Sequence, residues 1–156
     1  FRRVLFRSGG KSSREEIQKE NCHSFQKSKE QKEETMNHSP AFLKLVNDAR
    51  ARTKQTTTDD VMSRLESGEQ FMLLDTREDN EWEGGHIIGA VHLSKGIIER
   101  EIEAQIPNVD TQIVLYCRGG FRSILVAENL QKMGYTNVVS MDGGWREWKA
   151  KGYPVE

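Results

Sequence analysis

The sequence predicts an α/β fold in which a central parallel sheet of about five strands is flanked by helices, and three observations carry that expectation. The run Ile113-Val114-Leu115-Tyr116 is continuously apolar, the pattern of a strand covered on both faces. Directly after it, Ile124, Leu125, Ala127, Leu130 and Met133 recur at helical spacing, with Glu128, Asn129, Gln131 and Lys132 on the opposite side. Strand and helix patterns alternate along the chain, which calls for right-handed crossovers joining parallel strands.

Taken in order, the elements begin irregularly. Residues 1–8 read as the in-frame translation of a DNA sequencing adapter and are expected to be an artefact, while Glu15 and Glu16 argue against a targeting peptide. Residues 9–35 are dense in Lys, Glu, Gln and Ser, so 1–35 is expected to be a disordered or artefactual extension, with the native start at Met36. Residues 36–52 form an N-terminal helical appendage. Ser39 caps it, Pro40 suits the first helical position, and Phe42, Leu43, Leu45 and Val46 supply an apolar face.

The domain proper is expected over 53–156. Thr57 or Thr58 caps a helix with Val61, Met62 and Leu65 facing inward and Gly68 ending it. A strand at 71–75, a long connection, a strand at 112–116, a helix at 121–133, a strand at 137–141 and a last helix at 145–151 complete the order. No internal repeat interrupts it, so a single module is expected.

Composition removes several function classes. A chain of 156 residues suits one domain. With 23 basic and 24 acidic residues the formal charge is −1, which gives no electrostatic basis for nucleic-acid binding. No apolar run has the length of a membrane span, so no membrane partner is expected. Cys22 and Cys117 make a poor disulfide framework, which points to a reducing, cytoplasmic compartment. His23, His38, His86 and His92 lack metal-ligand spacing, so neither a metal nor another cofactor is expected. A monomer is the expectation.

The chemistry is concentrated in Cys117-Arg118-Gly119-Gly120-Phe121-Arg122. A strand feeding straight into a helix places this loop at the carboxyl edge of the sheet, where helix amides present partial positive charge. Those amides, with Arg118 and Arg122, favour an anionic sulfur on Cys117 and make it a candidate nucleophile. Gly119 and Gly120 permit backbone angles closed to other residues, so the loop can curl with successive N–H groups facing inward. Such a cradle holds an anion. A buried structural cysteine at a strand end is the alternative, and the arginines and the glycine pair weigh against it.

From about Thr53 to the end, the chain resembles a single rhodanese domain of the sulfurtransferase family. Leu73-Leu74-Asp75-Thr76-Arg77, followed by Glu81-Trp82, resembles the family's aspartate-x-arginine strand end. Gly85-His86-Ile87-Ile88-Gly89-Ala90-Val91-His92-Leu93 resembles its G-H-I-x-G-A segment, and the Cys117 loop resembles its active-site loop. Asp142-Gly143-Gly144-Trp145-Arg146-Glu147-Trp148 resembles its terminal G-G-x-x-x-W segment. The four stand in the family's order and together are specific, although any one alone is weak.

The resemblance implies a three-layer domain and a two-step sulfur transfer. Cys117 attacks the outer sulfur of an anionic donor such as thiosulfate, sulfite leaves, and the persulfide passes its sulfur to cyanide, a small thiol or a protein thiol. The loop residues Arg118, Gly119, Gly120, Phe121 and Arg122 bind the donor and the persulfide. Asp75, Arg77, His86 and Ser123 support the site structurally. Related phosphatases and arsenate reductases place the arginine one position later than Arg122, in a wider loop suited to a tetrahedral oxyanion, and no general acid for an ester is identifiable. A binding module without turnover remains the alternative from another class, followed by a phosphatase-like enzyme.

The remaining conspicuous residues have structural readings. His86 and His92 are expected to be hydrogen-bonded structural histidines. Asp75 and Arg77 form an ion pair or turn cap, with Glu78 or Glu81 as the expected partner of Arg77. Trp145 and Trp148 lie three apart on one helix face and are expected in the core, after a turn made by Gly143 and Gly144.

Overall fold

The computed structural model describes residues 38–156. The chain separates into two units, Phe1–Pro40 and Ala41–Glu156. The adapter-like residues 1–8, the extension to 35, Cys22 and the expected start at Met36 lie outside the described residues. In chain order the elements are α1 (Pro40–Arg50), β1 (Lys54–Thr56), α2 (Thr58–Glu66), β2 (Met72–Asp75), α3 (Asp79–Glu83), β3 (Val91–His92), α4 (Ile98–Gln105), β4 (Ile113–Tyr116), α5 (Phe121–Lys132), β5 (Val138–Met141) and α6 (Gly144–Ala150). Among the described residues, no helix is long and apolar enough to cross a membrane.

The five strands form one parallel sheet in the order β1-β5-β4-β2-β3. Every residue of β4 is buried, because this central strand is covered on both faces. Alternation along it divides the core. Ile113 and Leu115 join Leu74, Ile98, Ile102, Val126 and Leu130 on the face covered by α4 and α5. Val114 and Tyr116 join Leu73, Val61, Met141 and Trp148 on the face covered by α2 and α6. A third cluster packs Val46 and Ala49 of α1 onto Ile124 and Leu125 of α5.

The expected strands and helices are present with ends moved by about one residue. Thr57 is the cap of α2, its side chain accepting from the Asp60 N–H at 3.1 Å. Across the sheet face, Lys151 joins Thr58, Asp59 and Glu147 at 2.7–2.8 Å and ties α2 to α6. Three elements were absent from the sequence reading, β1, α3 and α4, while β3 falls inside the strand-like run Ala90–Leu93. In α1, Leu45 is 52% exposed and does not belong to the packing face, which Ala49 completes instead.

Candidate active site

β4 ends at Tyr116 and α5 begins at Phe121, so Cys117 to Gly120 make the strand-to-helix turn at the carboxyl edge of the central strand. Gly120 has φ +97°, a left-handed conformation that L side chains rarely adopt. That turn folds the chain back so that the Gly120 N–H reaches the Cys117 Sγ at 3.1 Å. The Ser123 hydroxyl lies 3.6 Å from the same sulfur and 2.8 Å from the Ser140 hydroxyl. The sulfur is thus contacted by donors from the turn and from the first turn of α5.

Cys117 is 1% exposed, whereas Arg118 is exposed and Gly119 half-buried, so the thiol is recessed beneath the polar rim of its loop. The Arg118 guanidinium has no hydrogen-bond or ion-pair partner among the described residues. Arg122 is engaged differently. Its two terminal nitrogens donate to the two Glu81 oxygens at 2.6 and 2.9 Å, a forked pair joining α5 to α3. Glu81 also accepts from the Glu78 N–H at 3.1 Å. Arg122, expected to bind donor directly, is therefore committed to a carboxylate beside the loop.

The Arg122 contact holds the Glu81 carboxyl below its ordinary value; burial opposes this, and the Glu78 N–H assists. A carboxyl lowered in the folded state stabilises the fold above the ordinary carboxylate range and loses that contribution as pH falls through the lowered value. Glu81→Gln should therefore cost about 1 kcal/mol, a figure reduced because both side chains are about one-quarter exposed. In urea titrations that cost should stay constant from about pH 6 to 8 and shrink only in acid. A cost that changes across neutral pH would contradict the pairing.

Asp75 and Arg77 form a buried pair at the end of β2, the strand beside β4. Arg77 Nε lies 3.0 Å from both Asp75 oxygens, and Nη2 donates to Asp75 Oδ2 at 2.6 Å and to the Gly85 carbonyl at 2.8 Å. The expected Asp75–Arg77 ion pair is present, whereas the Glu78 or Glu81 contact also expected of Arg77 is not made: the Glu81 carboxylate is turned to α5, and the backbone after β2 brings Arg77 back over Asp75. Burial disfavours the guanidinium charge, but Asp75 outweighs it and holds Arg77 above its ordinary value. The Arg77 guanidinium sits 4.6 Å from the Trp145 ring centre, linking the pair to α6. Thr76 closes the strand end by directing both its N–H and its hydroxyl to the Tyr116 carbonyl at 2.9 Å.

The histidines have other tasks. His86 stacks on Trp82 at 3.4 Å, and its backbone exchanges hydrogen bonds with Glu156 at 2.7 and 2.9 Å. Among the described hydrogen bonds none joins it to the cysteine loop, so its expected support of the site is confined to holding Trp82, next to Glu81, and the terminal segment. His92 Nε2 lies 2.9 Å from the Arg77 carbonyl. No group of three or more metal-ligating side chains occurs among the described residues.

The sequence reading gave no site role to five residues that the structure brings to the loop or its supports. Ser140 completes the hydroxyl pair at the sulfur, and Glu81 holds Arg122. Arg50 of α1 lies 5.1 Å above the Phe121 ring and 3.4 Å from Asp142, whose Oδ1 stands 3.2 Å from where a Gly120 Cβ would be. Gly144 abuts the loop backbone itself: a Cβ there would collide with the Cys117 carbonyl and lie 2.8 Å from that of Arg118. Its place in the Gly143-Gly144-Trp145 motif was the available signal.

The Rhodanese-like domain family matches residues 57–151. YtwF of Bacillus subtilis, which has sulfurtransferase in its name, is 33% identical over 101 residues, spanning 65% of this chain and 95% of its own. The thiosulfate sulfurtransferase GlpE of Coxiella burnetii is 31% identical, spanning 57% of this chain and 86% of its own. The match covers only 46% and 61% of the B. subtilis proteins YrkF and YqhL. Among solved structures, a Rhodopseudomonas palustris protein of unknown function, described as a possible tyrosine phosphatase, superposes with a TM-score of 0.68 at 30% identity. That superposition covers 77% of this chain and 96% of the other.

Proposed function

The chain belongs to the rhodanese-like domain family, and from that premise we propose that it carries sulfane sulfur as a persulfide on Cys117. One observation carries the reading: the Cys117 sulfur sits in a turn whose Gly120 N–H donates to it at 3.1 Å, at the amino end of the twelve-residue helix α5. The sulfurtransferase names of YtwF and GlpE support it.

In the proposed reaction the Cys117 thiolate attacks the outer sulfur of thiosulfate. A new S–S bond forms, the donor S–S bond breaks, and sulfite departs with the bonding electron pair. The outer sulfur then stands about 2 Å beyond Sγ, toward the rim where the N–H groups of Arg118 and Gly119 have no acceptor among the described residues. Those amides suit its negative charge, and the unpaired Arg118 guanidinium suits the incoming anion. Cyanide, a small thiolate or a protein thiolate attacks that sulfur and releases the Cys117 thiolate, so atoms and charge return to the start. The proposed setting is a reducing, cytoplasmic compartment, with the chain acting as a monomer.

The R. palustris neighbour favours a second reading, hydrolysis of a phosphate ester. Against it stand the short loop and the engagement of Arg122 by Glu81. Intact-protein mass after brief exposure to thiosulfate tests the proposal. A gain of about 32 Da, removed by cyanide, is the expected result. No adduct, together with turnover of a phosphate ester, would overturn sulfur transfer in favour of hydrolysis.

A further inference from the structure

We infer that the first turn of α6 is a positioning device for the Cys117 loop, with Gly144 and the backbone N–H groups of Trp145 and Arg146 as its working parts. The inference rests on the sulfur-transfer reading of that loop. The first amides of a helix have no acceptor within the helix. In α6 two of them are directed to the loop: Trp145 N–H donates to the Cys117 carbonyl at 2.8 Å, and Arg146 N–H to the Arg118 carbonyl at 3.0 Å.

These two bonds determine where the loop donors point. In a trans peptide the C=O and N–H point in opposite directions, and no cis peptide occurs among the described residues. Holding the Cys117 carbonyl against α6 therefore turns the Arg118 N–H away from α6, and holding the Arg118 carbonyl does the same for the Gly119 N–H. The next amide, Gly120, already donates to Sγ at 3.1 Å. Three consecutive N–H groups are thereby committed to the anion side of the loop.

Without an outside restraint, a Gly119-Gly120 pair leaves the preceding peptides free to rotate. A donor array stabilises a developing charge only when it is fixed beforehand. Gly144 makes the restraint sterically possible, because it has φ +52° and any Cβ would strike the two carbonyls that α6 must approach.

The test separates an N–H from a side chain. Arg146→Pro deletes one of the two donors at a first-turn position where proline is tolerated, and Arg146→Ala deletes the side chain but keeps the N–H. With thiosulfate and cyanide, kcat of the proline variant should fall about tenfold below that of the alanine variant at similar KM, less than the loss on removing a direct donor. Equal kcat values overturn the inference.

Alkylation of Cys117 by iodoacetamide at pH 7 should show the same ordering of the two variants. It needs no sulfur donor, so failure of the wild-type protein to accept sulfur would count against the functional reading alone, while equal alkylation rates would count against the positioning device. Hydrogen exchange on the unmodified protein supplies a measurement independent of either variant's folding. The Trp145 and Arg146 amides should be protected like core amides, and exchange at the rate of unbonded amides overturns the inference.

Discussion

Cys117→Ser is expected to lower sulfur transfer on the order of 10⁴-fold or more and to abolish the thiosulfate-dependent mass gain. The substitution keeps a small group that can still accept the Gly120 N–H, so the loop should persist and the melting temperature should change little. A serine hydroxyl held in the same cradle cannot form the persulfide, so retained folding with lost turnover locates the effect in chemistry. Both half-reactions should be measured, sulfite release on mixing with thiosulfate and thiocyanate formation on adding cyanide. Residual turnover above about one per cent would assign the nucleophile elsewhere. Cys22 is the only other cysteine in the sequence.

The second large effect is on stability. Arg77 is 2% exposed and Asp75 fully buried, so Arg77→Ala leaves a buried carboxylate with neither counter-ion nor fork. Loss of one partner from such a pair costs about 3–5 kcal/mol, much of the roughly 5–15 kcal/mol that stabilises an ordinary domain. The urea midpoint should fall accordingly. Arg77→Lys should recover only part of the loss, because an ammonium is a point charge that cannot reproduce the fork onto Asp75 while also reaching the Gly85 carbonyl. Replacing both members with apolar residues of similar volume should be less damaging than Arg77→Ala. A single-variant cost under about 1 kcal/mol would show that water reaches the pair.

What was legible in the sequence follows physical lines. The four-residue strands β2, β4 and β5 announce themselves because burial on both faces demands apolar runs, and α5 does so through its periodicity. Lys54-Gln55-Thr56 carries no such signal, since β1 is a three-residue edge strand with mostly exposed side chains. β3 shows only as the strand-like run Ala90–Leu93, of which two residues pair, and α4 lies in what read as a long connection.

At the site, the position of Cys117 in a strand-to-helix turn was legible because such a turn is built from contiguous residues. The partners were harder. The pairing of Glu81 with Arg122 spans 41 positions, and Ser123 meets Ser140 across the sheet-to-helix interface. The Asp75–Arg77 pair was legible because its members stand two positions apart, whereas the added contact of Arg77 with Glu78 or Glu81 failed because the fold sends Glu81 to α5.

The shortness of β1 and β3 has a further consequence. They are the outer strands of the sheet, with three and two residues, so little unpaired backbone lies along either margin. A neighbouring chain seeking to extend the sheet would find no ladder of useful length, and the apolar four-residue strands that could template one lie inside. The same arrangement that centres β4 and its Cys117 turn thus guards the folded protein against edge-to-edge aggregation.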